Sequence, residues 1–186
     1  MPEILRAQEG ALVGVIVGSK SDLPLTVPAF RVFDRFDIPY EVGIKSAHRT
    51  PEEMLEYSKQ AKRRGLMVIA AAAGGSAHLP GMAASSSVLP VIGIPIEQGA
   101  ITGQNEAVGS MIRMPDGAPL TIVGQNKAGL AAENLVRILA LSNNDLSARY
   151  EASIQDLHDT VVADDRTLGE IGWMEFMDQQ GLEYKR

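Results

Sequence analysis

Two of the three histidines stand in short loops that directly follow apolar runs: Ser46-Ala47-His48-Arg49-Thr50-Pro51 and Gly74-Gly75-Ser76-Ala77-His78-Leu79-Pro80. An imidazole gives and takes protons near neutral pH, so either ring suits general acid–base work. Arg49, next to His48, offers a guanidinium that holds phosphate or carboxylate through two parallel hydrogen bonds. A third loop, Gly18-Ser19-Lys20-Ser21-Asp22, brings hydroxyls, a carboxylate and main-chain amides to the start of a helix, where anions bind. The Gly74-Gly75 pair marks a point where backbone comes close to something. Together these residues describe proton transfer on a small anionic molecule.

Each of them also has a plainer reading. Ser21 or Asp22 can simply cap the following helix. His48 can bond to backbone, and Arg49 can pair with surface acids. His158, on a C-terminal amphipathic segment, reads as ordinary surface. What favours function is that two of three histidines fall in loops on the same presumed edge of a sheet. Other chemistries lack support. There is no cysteine and no His-Glu-x-x-His spacing, so no metal site is assigned. The glycine-hydroxyl turn is neither a dinucleotide fingerprint nor a Walker loop, and no Gly-x-Ser-x-Gly elbow marks a hydrolase. No cofactor is implied.

The elements that position these loops follow from hydrophobic period. The apolar run at 11–17 predicts a strand buried on both faces, those at 67–73, 91–96 and 120–123 predict further strands, and the more polar run at 40–44 predicts one nearer an edge. Between them, helices are expected at 25–36, 51–64, 78–88, 105–114 and 127–141. Thr50, Pro51 and Glu53 spell a capping box for the second. Strands alternating with helices predict a three-layer, doubly wound parallel α/β sheet, flavodoxin- or Rossmann-like, with its loops opening on one edge. Residues 11–143 make this domain. In 144–186, Leu146, Tyr150, Ile154, Leu157 and Val161 mark an amphipathic helix, and 164–186 a loose mixture of charge and apolar groups around Trp173. One helix cannot bury its own stripe, so it packs back on its own domain or on a neighbouring subunit, and the neighbour is favoured.

Composition sets the frame. With 186 residues, 45% apolar and 22% charged, the chain is globular, and a net charge of -6 argues against nucleic acid or an anionic membrane surface as partner. The start, Met1 to Arg6, lacks the pattern of a secretory signal, and no apolar stretch is long enough to span a bilayer, so the expected location is cytoplasmic.

The three motifs, continued by Gly81-Met82, Pro90 to Pro95 and Met114 to Pro119, resemble the PurE family, the N5-carboxyaminoimidazole ribonucleotide mutases of purine biosynthesis. The likeness runs from about Ala11 to Tyr150 in the same order, and the segment from Gly74 to Met82 resembles the mutase class. The resemblance implies an isomerase, a homo-octamer with sites at subunit contacts, needing neither metal nor organic cofactor. It would move a carboxylate from N5 to C4 of a small-molecule ribonucleotide. By the same resemblance Ser19, Asp22 and Arg49 match substrate-binding positions, His48 the proton-transfer histidine, and His78 a contact to the transferred group. The candidate catalytic residues are thus His48 and His78, and the candidate substrate-binding residues are Ser19, Ser21, Asp22, Ser46, Arg49, Gly74, Gly75, Ser76 and Leu79. The chain departs from the family's pattern at Gln98 to Ala107, at Leu130-Ala131-Ala132, at Ser76 and past Tyr150. Two alternatives therefore stay open: a relative acting on another azole or nucleotide-like acid, and a non-catalytic nucleotide-binding module.

Overall fold

A computed structural model of the chain describes residues 10–97 and 106–183. Five parallel strands form one sheet in the order β2-β1-β3-β4-β5. They are β1 (Val13–Val17), β2 (Tyr40–Ile44), β3 (Val68–Gly74), β4 (Val91–Ile96) and β5 (Thr121–Ile122). The connections carry α1 (Leu23–Arg35), α2 (Pro51–Gln60), α3 (His78–Ser86), α4 (Glu106–Ile112) and α5 (Ala128–Ala140). Helix α1 packs with α5, while α2, α3 and α4 pack together. Side chains alternate along each strand. Ile16, Ile69, Ala71, Ala73 and Val91 join the α2–α4 layer, and Val13, Val15, Val17, Val68, Ala70 and Ala72 are buried beneath the other. This is the doubly wound α/β architecture that the sequence predicts, and β2 is an edge strand, in keeping with its polarity.

The register places the loops. Val17 is level with Ile44 on one side and Ala72 on the other, so the segments after β1, β2 and β3 leave the sheet side by side. Chain order reverses between β1 and β3, which is where open α/β sheets form their ligand crevice.

Several boundaries differ from expectation. Thr50 forms no side-chain cap on α2. Its ψ of 57° lies outside the extended region that aims a capping oxygen at the first turn, and its hydroxyl bonds to Ser46 instead. The α2 helix ends at Gln60 and is followed by a separate tight turn, Lys62–Arg64, closed by Gly65 at φ +99°. Strand β5 has only two residues. The expected loose tail is helical: α6 runs Asn144–Ile171 and α7 runs Trp173–Gln180, separated by Gly172 at φ +80°. Apolar positions continue the α6 stripe through Leu168 and Ile171, past Asp164 and Asp165, which explains the extension.

The chain divides into two compact units at the Ser142–Asn143 junction. In the second, Asn143 caps α6 by accepting from Leu146 N at 3.0 Å, and Ile154, Leu157, Val161 and Leu168 are exposed. Among the described residues no helix is long and apolar enough to cross a membrane. The readings for Met1 to Arg6, Gln98 to Asn105 and the last three residues lie outside the described residues.

Candidate active site

The first loop prolongs the β1–β3 pairing, because Gly18 N donates to Ala72 O at 3.0 Å. Ser19 then closes a tight turn over Lys20–Asp22: its Oγ accepts from Ser21 N at 3.4 Å and from Ser21 Oγ at 3.0 Å. Asp22 sits at the start of α1 but makes no side-chain cap bond, contrary to the plainer sequence reading. Its carboxyl is buried, and burial pushes its pKa above the ordinary aspartate value. Hydrogen bonds from the Ser19 main chain and the Ser21 hydroxyl, together with the Arg49 charge, pull the other way.

The second loop is built around Ser46. Its Oγ accepts from Arg49 N at 3.3 Å and Arg49 Nε at 3.2 Å. Thr50 N donates to Ser46 O at 3.0 Å, and Ser46 N donates to Thr50 Oγ1 at 3.1 Å. Arg49 Nη2 donates to Gly18 O at 3.0 Å, tying this loop to the first. A guanidinium has five N–H donors in a planar fork, so Arg49 keeps donors for an anionic ligand after anchoring its own loop.

The third loop starts at Gly74, where a Cβ would lie 2.8 Å from Ile96 O. Gly75, at φ +58°, turns the chain away from the sheet, and His78 opens α3. Across the gap, His48 Nε2 and His78 Nδ1 are 2.8 Å apart, with ring centroids at 4.9 Å and planes nearly perpendicular at 79°.

All three loops enclose one open cavity of about 430 Å³, within the range of small-ligand sites. Ser19, Ser21 and Asp22 line it from the first loop, Ser46, His48 and Arg49 from the second, and Gly74, Ser76, His78 and Leu79 from the third. Of the residues singled out in the sequence, Gly75 alone stays off the wall; its part is the left-handed turn. Sequence reasoning missed Gly18, Ala47 and Ala73, which also line the cavity. Gly18 and Ala73 stand at the ends of the two strands that flank the reversal in chain order, and that position was the signal for them. Among the described residues no three His, Asp or Glu side chains gather as a metal-binding group.

Behind the second loop lies a buried polar network. Tyr57 Oη donates to Glu41 Oε1 at 2.7 Å, and Arg64 Nη1 reaches the same carboxylate at 2.7 and 2.9 Å. The Arg64 guanidinium lies 4.5 Å and the Lys45 ammonium 5.5 Å from the Tyr57 ring centroid. Burial, then the Arg64 charge, holds the Lys45 amine below the usual lysine range, against the pull of Glu53 and Glu41. Burial, then Glu41, pushes the Tyr57 phenol far up. Arg64 Nε and Nη2 are buried with no hydrogen-bond partner among the described residues.

The model of the AIR carboxylase family matches residues 12–160. The chain is 42% identical over 171 residues to the N5-carboxyaminoimidazole ribonucleotide mutase of Pyrococcus horikoshii, covering 92% of this chain and 96% of that one. The mutase of Mycobacterium tuberculosis is 46% identical over 162 residues, covering 87% and 92%. The phosphoribosylaminoimidazole carboxylase of Candida glabrata is 39% identical over 180 residues, which are 96% of this chain but 31% of that longer one. The crystal structure of Treponema denticola PurE superposes with a TM-score of 0.76 at 24% identity, covering 85% of this chain and 98% of that one, a likeness of fold.

Proposed function

The chain belongs to the AIR carboxylase family, and from that premise we propose that it is the isomerase that moves a carboxylate from N5 to C4 of aminoimidazole ribonucleotide in purine biosynthesis. The observation that carries this reading is the meeting of His48, His78, Arg49 and Asp22 around one cavity, in a chain similar to mutases over about nine-tenths of its length.

The chemistry asks for few groups. When the carbamate N–C bond breaks, the electron pair stays on N5 and takes up a proton. The carbon dioxide set free is attacked by C4, forming a C–C bond, and the C4 proton then leaves. The difficult part is retaining carbon dioxide until C4 reaches it, an entropic task that a small, partly dry pocket performs. Ala47, Ala73 and Leu79 supply apolar wall, while Gly74 and Ser76 let backbone approach. Arg49 and the loop amides anchor the ribose phosphate, Asp22 accepts from ribose hydroxyls, Ser19, Ser21 and Ser46 complete the binding surface, and His48 handles the proton.

The assembly follows from the same reading. The unit at 11–143 carries the chemistry, and the exposed α6 stripe packs on neighbouring subunits of an octamer, with sites at their contacts. The location is cytoplasmic, and no metal or organic cofactor takes part.

The test is direct. Purified protein given the N5-carboxylated ribonucleotide converts it to the C4 carboxylate without added bicarbonate, and His48→Asn abolishes turnover. Carboxylation of aminoimidazole ribonucleotide by bicarbonate alone, or no turnover by well-folded protein, overturns the assignment. In the second case a relative acting on another azole becomes the leading reading, motivated by the departures at Gln98 to Ala107 and at Ser76.

A further inference from the structure

The 2.8 Å contact between His48 Nε2 and His78 Nδ1 fixes which ring nitrogens lie outside the pair. Two imidazoles so joined share one proton, so one nitrogen donates and the other accepts. Nε2 of His48 is occupied by this bond. Only Nδ1 of His48 and Nε2 of His78 remain for a substrate.

Direction of the bond follows from the reaction. Protonating N5 requires one ring of the pair to begin as imidazolium. His48 is the ring to which the mutase reading gives the substrate proton, so the extra proton belongs to His48. His48 Nε2–H then donates, His78 Nδ1 accepts, and neutral His78 carries its own proton on Nε2.

We propose that His78 locks His48 into the Nε2–H form, so that His48 gives and takes the substrate proton at Nδ1 while His78 Nε2–H is held toward the migrating carboxyl. The inference rests on the mutase reading and deepens it. The balance closes within one turnover. His48 Nδ1–H protonates N5 as the N–C bond breaks, leaving a neutral ring that still carries Nε2–H. After C4 has bonded to carbon dioxide, the bare Nδ1 removes the C4 proton and the imidazolium is restored. The bridging hydrogen bond never reverses, and His78 never changes charge.

Variants of His78 separate this from a structural role. An Asn amide oxygen reaches the place of a histidine Nδ1, so His78→Asn keeps the acceptor for His48 and loses only the outer donor. His78→Leu loses both. Nitrogen-15 NMR of histidine-labelled protein, above the pH where imidazole titrates, is expected to show His48 as the Nε2–H form in the wild type and in His78→Asn, and as a mixture in His78→Leu. In turnover, His78→Leu is expected to lose at least about tenfold in kcat with little change in KM, and His78→Asn to recover part of it. A wild-type His48 carrying its proton on Nδ1, or His78→Leu with wild-type kcat, overturns the proposal. Wild-type protein that fails to convert the carbamate refutes the mutase reading instead, a result the NMR spectrum does not depend on.

Discussion

The β2–α2 connection separates two groups of polar side chains built on opposite terms. On the sheet side, Glu41, Lys45, Tyr57 and Arg64 turn toward one another away from the cavity: Glu41 takes two donors, and one aromatic ring faces two cations. On the cavity side, Ser46 and Arg49 bond chiefly to their own loop and to Gly18, while the His48 ring meets its counterpart, His78. A closed network of buried charges adds little net stability but is costly to break. An open one leaves donors and acceptors for something else. The difference teaches that charge in this fold marks function where its unspent hydrogen-bonding capacity faces an open cavity.

Substitutions on the two sides sharpen the contrast. Arg64→Met leaves the Glu41 carboxylate buried without its cation and is expected to lose about 3–5 kcal/mol of stability in urea unfolding. A loss under about 1 kcal/mol makes the network a surface-like pair and ends the comparison. Asp22→Asn tests the cavity side. Because burial raises the Asp22 pKa in the folded protein, the fold favours the protonated acid; this contribution is present below the ordinary value and is lost as pH rises through the folded value. Asn carries no such loss, so the variant should gain Tm relative to wild type as pH rises above the ordinary aspartate value, while binding substrate more weakly. If the wild type gains on the variant over that rise, the carboxylate is stabilised by its partners rather than strained by burial.

Lys45→Met should be smaller still. The buried ammonium is disfavoured in the fold, which offsets its attraction to Glu41, so stability near neutral pH is expected to stay within about 1 kcal/mol. Any advantage of Met fades as rising pH neutralises Lys45 in the wild type. Smallest of all, His48→Gln should change unfolding free energy by no more than about 0.5 kcal/mol. A large loss there would move the histidine pair to the structural side of the divide.

How much of this was legible in sequence depended on locality. The strands read well because β1, β3 and β4 are buried on both faces and their apolar runs are continuous. The meeting of the three loops was legible because each is a contiguous motif on a strand end, and the parallel register does the rest. Gly75 was misplaced because a glycine needed for a turn and one needed for a close approach are spelled alike; only the φ of +58° tells them apart. Thr50 kept the spelling of a capping box while its hydroxyl was drawn to Ser46, a choice made by loop geometry rather than by residue type. The Glu41–Tyr57–Arg64 network was illegible, because its members come from a strand, a helix and a turn, with no shared period to join them. In 164–183 the density of charge hid a helix whose apolar positions are sparse but regularly spaced.

Gly74 sets a limit on what this cavity can become. A methyl group there would meet the carbonyl of Ile96, part of the neighbouring strand, and a main-chain atom cannot swing aside as a side-chain tip can. That jaw of the pocket is therefore immovable without prising two central strands apart. Ser76, exposed on the loop beyond, carries no such restriction. Changes in the size or shape of the accepted molecule have to accumulate on the Ser76 side, so descendants of this scaffold are free to widen the entrance but not to deepen the floor.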